Sequence, residues 1–149
     1  MKRQRLLRIK DPVLLCGAYY WILARDATGI LRMGLLAAVL HECGHIAAWL
    51  VFTRRPPHIE VSLTGLCLQW QKEDFLPRAQ LLLAMAGPAV NLALAGGVLL
   101  ALQRQACFAG YEFACCNLLL GIFNLLPLPP LDGQYLWLFI RQKLHFGSK

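Results

Sequence analysis

Between Leu81 and Leu102 the chain carries no charged side chain for 22 residues. As a helix rising 1.5 Å per residue this run spans roughly 33 Å, matching a hydrocarbon core about 30 Å thick. A second run, Ile30 to Phe52, is as long and is broken only by Arg32 near its start and by His41, Glu42 and His45. Composition points the same way: 58% of the residues are hydrophobic and 15% charged, against about 45–50% and 25% in soluble domains. A soluble chain of 149 residues has too little interior to hide that much apolar surface.

Two weaker runs complete the pattern. Val13 to Ala24 is uncharged but short for a span and is bounded by Arg25 and Asp26; tilting or snorkelling of its flanks would extend it. The fourth run begins near Phe113 and continues to Leu126, meets PLPPLDG, and resumes as QYLWLFI. These runs predict an all-α polytopic membrane protein of about four transmembrane helices, forming one domain over residues 1–149. With the N-terminus in the cytoplasm, four spans place twelve of the Lys and Arg residues inside and three (Arg25, Arg32, Arg104) outside. That bias fits the positive-inside rule, so the net charge of +7 is read as cytoplasmic loops in a multi-pass cell-membrane protein, not as a nucleic-acid surface. The basic start MKRQRLLRIK is not expected to open a cleaved signal peptide, since no small-residue cleavage site precedes a polar mature domain.

Between the second and third runs the pattern changes period. IEVSL and LCLQW each alternate apolar with polar residues around Thr64-Gly65, which predicts a small β-hairpin-like insertion. Such an insertion is either a surface loop or a sheet edge able to pair with an extended peptide. The six cysteines show no CxxC spacing and read as small apolar residues, not as a thiolate cage.

The second run contains HECGH. His41 and His45 are four residues apart, so on a helix they share one face and can reach one zinc ion. Glu42 beside them is placed to handle a proton of the attacking water; this is the HExxH pattern of zinc peptidases. Ionisable groups at membrane depth are costly and mark function by default. A catalytic zinc site takes three protein ligands, and no third histidine follows in IAAWLVF. The remaining acidic or imidazole candidates are Asp26, Glu60, Glu73, Asp74, Glu112, Asp132, His58 and His145. Asp132 stands out because Pro127, Pro129 and Pro130 must break the helix before it, and a broken helix at membrane depth is tolerated where it lines a cavity. An N-cap for the following QYLWLFI segment would also suit an aspartate there.

HECGH followed by NLLPLPPLDG resembles the site-2 protease family of intramembrane zinc metalloproteases. AMAGPAVNLALAG, with Gly87, Pro88 and Asn91, is similar to that family's glycine-proline-xx-asparagine stretch. The layout resembles the stage IV sporulation protein FB subgroup, which cleaves a membrane-associated pro-sigma factor, without its C-terminal regulatory domain; Gln134 stands where a second glycine is frequent. The resemblance implies zinc held by His41, His45 and Asp132, Glu42 as general base and then acid, and Asn124 and Asn91 as substrate-positioning groups. For Asn91 an interhelical hydrogen bond is the equal alternative. It implies a transmembrane or membrane-associated protein substrate cut near the cytoplasmic face, and it leaves room for a membrane regulatory partner. A catalytically silent membrane scaffold retaining the protease fold is the alternative function.

Overall fold

The computed structural model describes residues 7–62, 65–68 and 76–146. Five helices dominate them: α1 (Pro12–Ala24), α2 (Ile30–Thr53), α3 (Pro77–Leu102), α4 (Phe108–Asn124) and α5 (Gly133–Phe146). Three short strands, β1 (Leu7–Ile9), β2 (Ile59–Ser62) and β3 (Gly65–Leu68), form one sheet in the order β1-β2-β3.

The helices follow the apolar runs, with two extensions. Helix α3 starts at Pro77, four residues before its charge-free run; proline is pre-organised for the first helical position, where its missing N–H costs nothing. Helix α4 starts at Phe108, so Tyr111 and Glu112 are helical although they interrupt the apolar pattern. Helices α2 and α3, of 24 and 26 residues, are the two described helices long and apolar enough to cross a membrane. Only 22% and 33% of their most apolar windows are buried inside the protein. Helices at the core of a soluble domain would be mostly covered; these turn residues such as Leu36, Val51, Leu82 and Leu100 outward. That apolar exterior suits lipid.

Helices α2, α3 and α4 pack on one another, α5 lies against α3, and α1 touches α2. Small residues set the approach. A Cβ at Gly44 of α2 would stand 2.8 Å from the Ala86 carbonyl oxygen and 2.9 Å from Val90 Cγ2 of α3, so glycine lets the two backbones close, as small residues do between membrane helices. At its start, α2 is held by Asp26, whose carboxylate accepts N–H bonds from Gly29 and Arg32 at 3.0 Å and from Leu31 at 3.4 Å. Burial of this carboxyl pushes its pKa up, but those three N–H donors and the Arg32 guanidinium outweigh that effect and hold it below the ordinary value.

The alternating segment forms β2 and β3, which pair antiparallel from Ile59↔Leu68 to Ser62↔Gly65; the bend expected at Thr64 lies outside the described residues. Strand β1 was not anticipated. It pairs parallel with β2 in the register Leu7↔Ile59, so the sheet is more than a two-stranded insertion. Lys10 seals the junction, donating its backbone N–H to the Val61 carbonyl at 2.9 Å and pairing its ammonium with buried Glu60 at 2.7 Å.

Candidate metal centre

The centre forms where α2 meets α3 and the segment entering α5. His41 and His45 lie on the face of α2 turned towards α3, and both are buried. Asp132 is the residue immediately before α5. The chain reaches it through Leu125–Leu131, where backbone bonds such as Leu128 N–H to Leu126 and Leu131 N–H to Leu128 make successive turns. Prolines 127, 129 and 130 forbid a continuous helix there, and the carboxylate is thereby carried back to the imidazoles. Asp132 directly precedes a helix, and its Oδ2 faces the histidines.

The three inward atoms form a nearly equilateral triangle. His41 Nε2 and His45 Nε2 are 3.1 Å apart, and Asp132 Oδ2 stands 3.1 Å from the first and 3.2 Å from the second. Ligands about 2.0–2.1 Å from a tetrahedral zinc are roughly 3.3 Å from one another, so the triangle is one face of such a tetrahedron to within about 0.2 Å. The proton inventory agrees. The Nδ1–H of His45 donates to the Leu83 carbonyl at 2.8 Å, and that of His41 donates to Asn91 Oδ1 at 2.7 Å. Both outer partners are acceptors, so in each neutral ring the proton sits outside and the lone pair of Nε2 points inward. Two imidazole lone pairs and a carboxylate oxygen converging in a buried site repel one another unless a cation lies among them. Two imidazoles and one carboxylate are a protein donor set that catalytic zinc sites use.

Two features of α3 shape the pocket. Gly87 lies directly against the rings: a Cβ there would meet His45 Nε2 and would stand 2.7 Å from both Cε1 and Nε2 of His41. Pro88, buried inside α3, lacks an N–H and crowds the carbonyl four residues back.

Asn91 is completely buried. It accepts from His41, and its amide nitrogen donates to the Ala37 carbonyl at 3.1 Å and to Asn117 Oδ1 at 2.8 Å. Asn117 went unnoticed in the sequence, although a neutral amide in the middle of an apolar helix was signal enough. Glu42 follows His41 and is half-buried; among the described residues no side chain hydrogen-bonds its carboxylate. Asn124 stands in the last turn of α4 and donates to its own helix at the Leu120 carbonyl, 3.0 Å away; it is not bonded to the histidines or Asp132. The other ligand candidates go elsewhere. Asp26 caps α2 and Glu60 pairs with Lys10, while Glu73, Asp74 and the His145 side chain lie outside the described residues.

No protein-family model matches the chain. In two strains of Mycobacterium tuberculosis, "Putative zinc metalloprotease Rip3" is 35% identical over 135 residues, covering 79% of this chain. The chain spans about a third (33%) of the length of those relatives. Among solved structures, a site-2 protease from Methanocaldococcus jannaschii superposes with a TM-score of 0.67, covering 96% of this chain and 71% of that one at 21% identity. The fold is that of the site-2 protease. Within it, the His41–His45–Asp132 triangle is built from α2 and the segment before α5, buttressed by α3.

Proposed function

We propose that this chain is an intramembrane zinc metalloprotease of the site-2 type, crossing the membrane about four times with its N-terminus in the cytoplasm. Its substrate is a transmembrane or membrane-associated protein, cut near the cytoplasmic face. The observation that carries this reading is the Nε2–Nε2–Oδ2 triangle, with edges of 3.1–3.2 Å, beside Glu42. The names of the Mycobacterium relatives and of the Methanocaldococcus structure support it. The twelve-to-three division of Lys and Arg supports the orientation, and the resemblance in layout alone supports a sporulation role.

His41, His45 and Asp132 hold the metal. When bound, zinc supplies Lewis acidity, polarising the scissile carbonyl and lowering the pKa of water. Glu42 takes one proton from the attacking water as its oxygen bonds to the carbonyl carbon. It returns that proton to the amide nitrogen as the C–N bond breaks, and the second proton of the water passes from the new carboxylic acid to the amine, leaving a carboxylate and an ammonium. A substrate helix satisfies its backbone internally, so it must be unwound first, and the edge of the β1-β2-β3 sheet is a place to hold it extended. Asn91 has its polar atoms committed to His41, Ala37 and Asn117, so its part is to hold the ligand. For Asn124, substrate positioning rests on the resemblance.

The test compares wild type with Glu42→Gln in detergent or liposomes, measuring zinc content and cleavage of candidate single-span proteins. Wild type is expected to hold one zinc and to cleave. The variant is expected to keep the metal and to lose at least about 10²-fold in rate, the usual contribution of a general base. Unchanged cleavage by Glu42→Gln would defeat the mechanism; metal-free wild type, or zinc-loaded wild type that cuts nothing, would favour the silent scaffold.

A further inference from the structure

Behind His41 the polar chain crosses two more helices. Asn117, from the middle of α4, is completely buried. Its amide nitrogen donates to the Phe113 carbonyl of its own helix at 2.9 Å, and its Oδ1 accepts from Asn91 at 2.8 Å. A buried polar group left without a partner is costly, so the direction of every bond in this chain is constrained. If Asn117 were flipped, its oxygen would face the Phe113 carbonyl. If Asn91 were flipped, its oxygen would face both the Ala37 carbonyl and Asn117 Oδ1. Two backbone carbonyls, at Phe113 and Ala37, thereby dictate the orientation of both amides.

We infer that Asn117 is a positioning residue for the metal centre: acting through Asn91, it fixes which nitrogen of His41 carries the proton. The inference rests on the reading of His41 as a zinc ligand. With Asn117 in place, only an Asn91 oxygen can face His41, so His41 must present its proton at Nδ1 and its lone pair at Nε2. Without Asn117, the Ala37 carbonyl alone opposes a flip of Asn91. The flipped amide offers an N–H to His41 and favours the proton at Nε2, the position the metal needs. His45 supplies an internal reference, because the Leu83 carbonyl orients it independently of this chain.

Histidine-selective ¹⁵N NMR of the metal-free protein in detergent, combined with zinc competition against a chelator, tests the link. In wild type both rings are expected to carry a hydrogen-bonded Nδ1 proton. In Asn117→Ala the His41 Nδ1 proton is expected to be partly lost and to exchange faster, while that of His45 is unchanged. Zinc affinity should fall about ten- to a hundredfold, as for other residues that orient a ligand. Asn117→Asp, kept protonated by its burial, retains an oxygen facing Asn91 while its O–H donates to the Phe113 carbonyl in place of the amide, and should preserve both the His41 signal and the affinity; it carries the test even where the alanine variant does not fold. An unaltered His41 ring in Asn117→Ala, equal changes in both rings, or loss of the signal in Asn117→Asp would overturn the inference. Failure of wild type to cleave any substrate bears on the protease reading alone, since the ring spectra and zinc titration need no activity.

Discussion

Gly87→Ala adds a single methyl group on α3, and the geometry says where that methyl goes. It would meet His45 Nε2 and stand 2.7 Å from Nε2 and Cε1 of His41, whereas comfortable contact for carbon is about 3.5–4.0 Å. The rings or the helix must therefore yield by roughly 1 Å, yet a metal site tolerates only about 0.2 Å in its ligand distances. Overpacking of this kind costs about 1–3 kcal/mol. If that cost falls on the loaded state, zinc affinity drops roughly five- to 150-fold at 1.4 kcal/mol per factor of ten. The control is Gly97→Ala on the same helix, where an added Cβ has nothing within 4 Å. Removing a mid-helix glycine there should stabilise the helix by about 0.5–1 kcal/mol and leave the metal alone. Chelator competition for zinc and thermal unfolding, both in detergent, separate the two effects. Wild-type zinc affinity in Gly87→Ala would refute the claim that the histidine nitrogens crowd this backbone.

Three further expectations follow from other contacts. Asp132→Asn weakens a ligand to zinc and should lower metal affinity by more than the ten- to about a hundredfold seen for supporting residues, read by metal analysis after dialysis. Gly44→Ala drives a methyl to 2.8 Å from the Ala86 carbonyl oxygen, a backbone atom that cannot rotate away, and should destabilise the α2–α3 contact by about 1–3 kcal/mol in thermal unfolding. The Asp26 carboxyl has its folded-state pKa held below its ordinary 3.8. Its contribution is therefore present above pH 3.8 and is lost as the pH falls through the lower folded value; Asp26→Asn should flatten the acid limb of a stability–pH curve.

The parts of this molecule that could be read from the chain are those whose signal is local. HECGH puts two imidazoles on one face of a helix whatever surrounds it, and three prolines before Asp132 break a helix in any context. The alternation in IEVSL and LCLQW foretold β2 and β3. What stayed hidden depends on partners remote in sequence. β1 is three residues long and exists because it meets a strand some fifty residues later. The sequence singled out Gly87 only as part of a motif; its closeness to the rings appears once α2 and α3 have docked. Asn117 looked like one polar residue in a greasy helix until Asn91 was found beside it. Asn91 could be placed near the centre, but its orientation follows from the Ala37 and Phe113 carbonyls, which no residue pattern reveals.

His41 and Asp132 are 91 positions apart, and the helices between them supply Gly87, Asn91 and Asn117. A nascent chain with only its first two long helices inserted owns two histidines and no carboxylate to complete the set. On the proposed reading, the set of metal ligands is complete only once the segment carrying Asp132 docks against α2, so metal uptake waits on tertiary assembly and not on α2 alone.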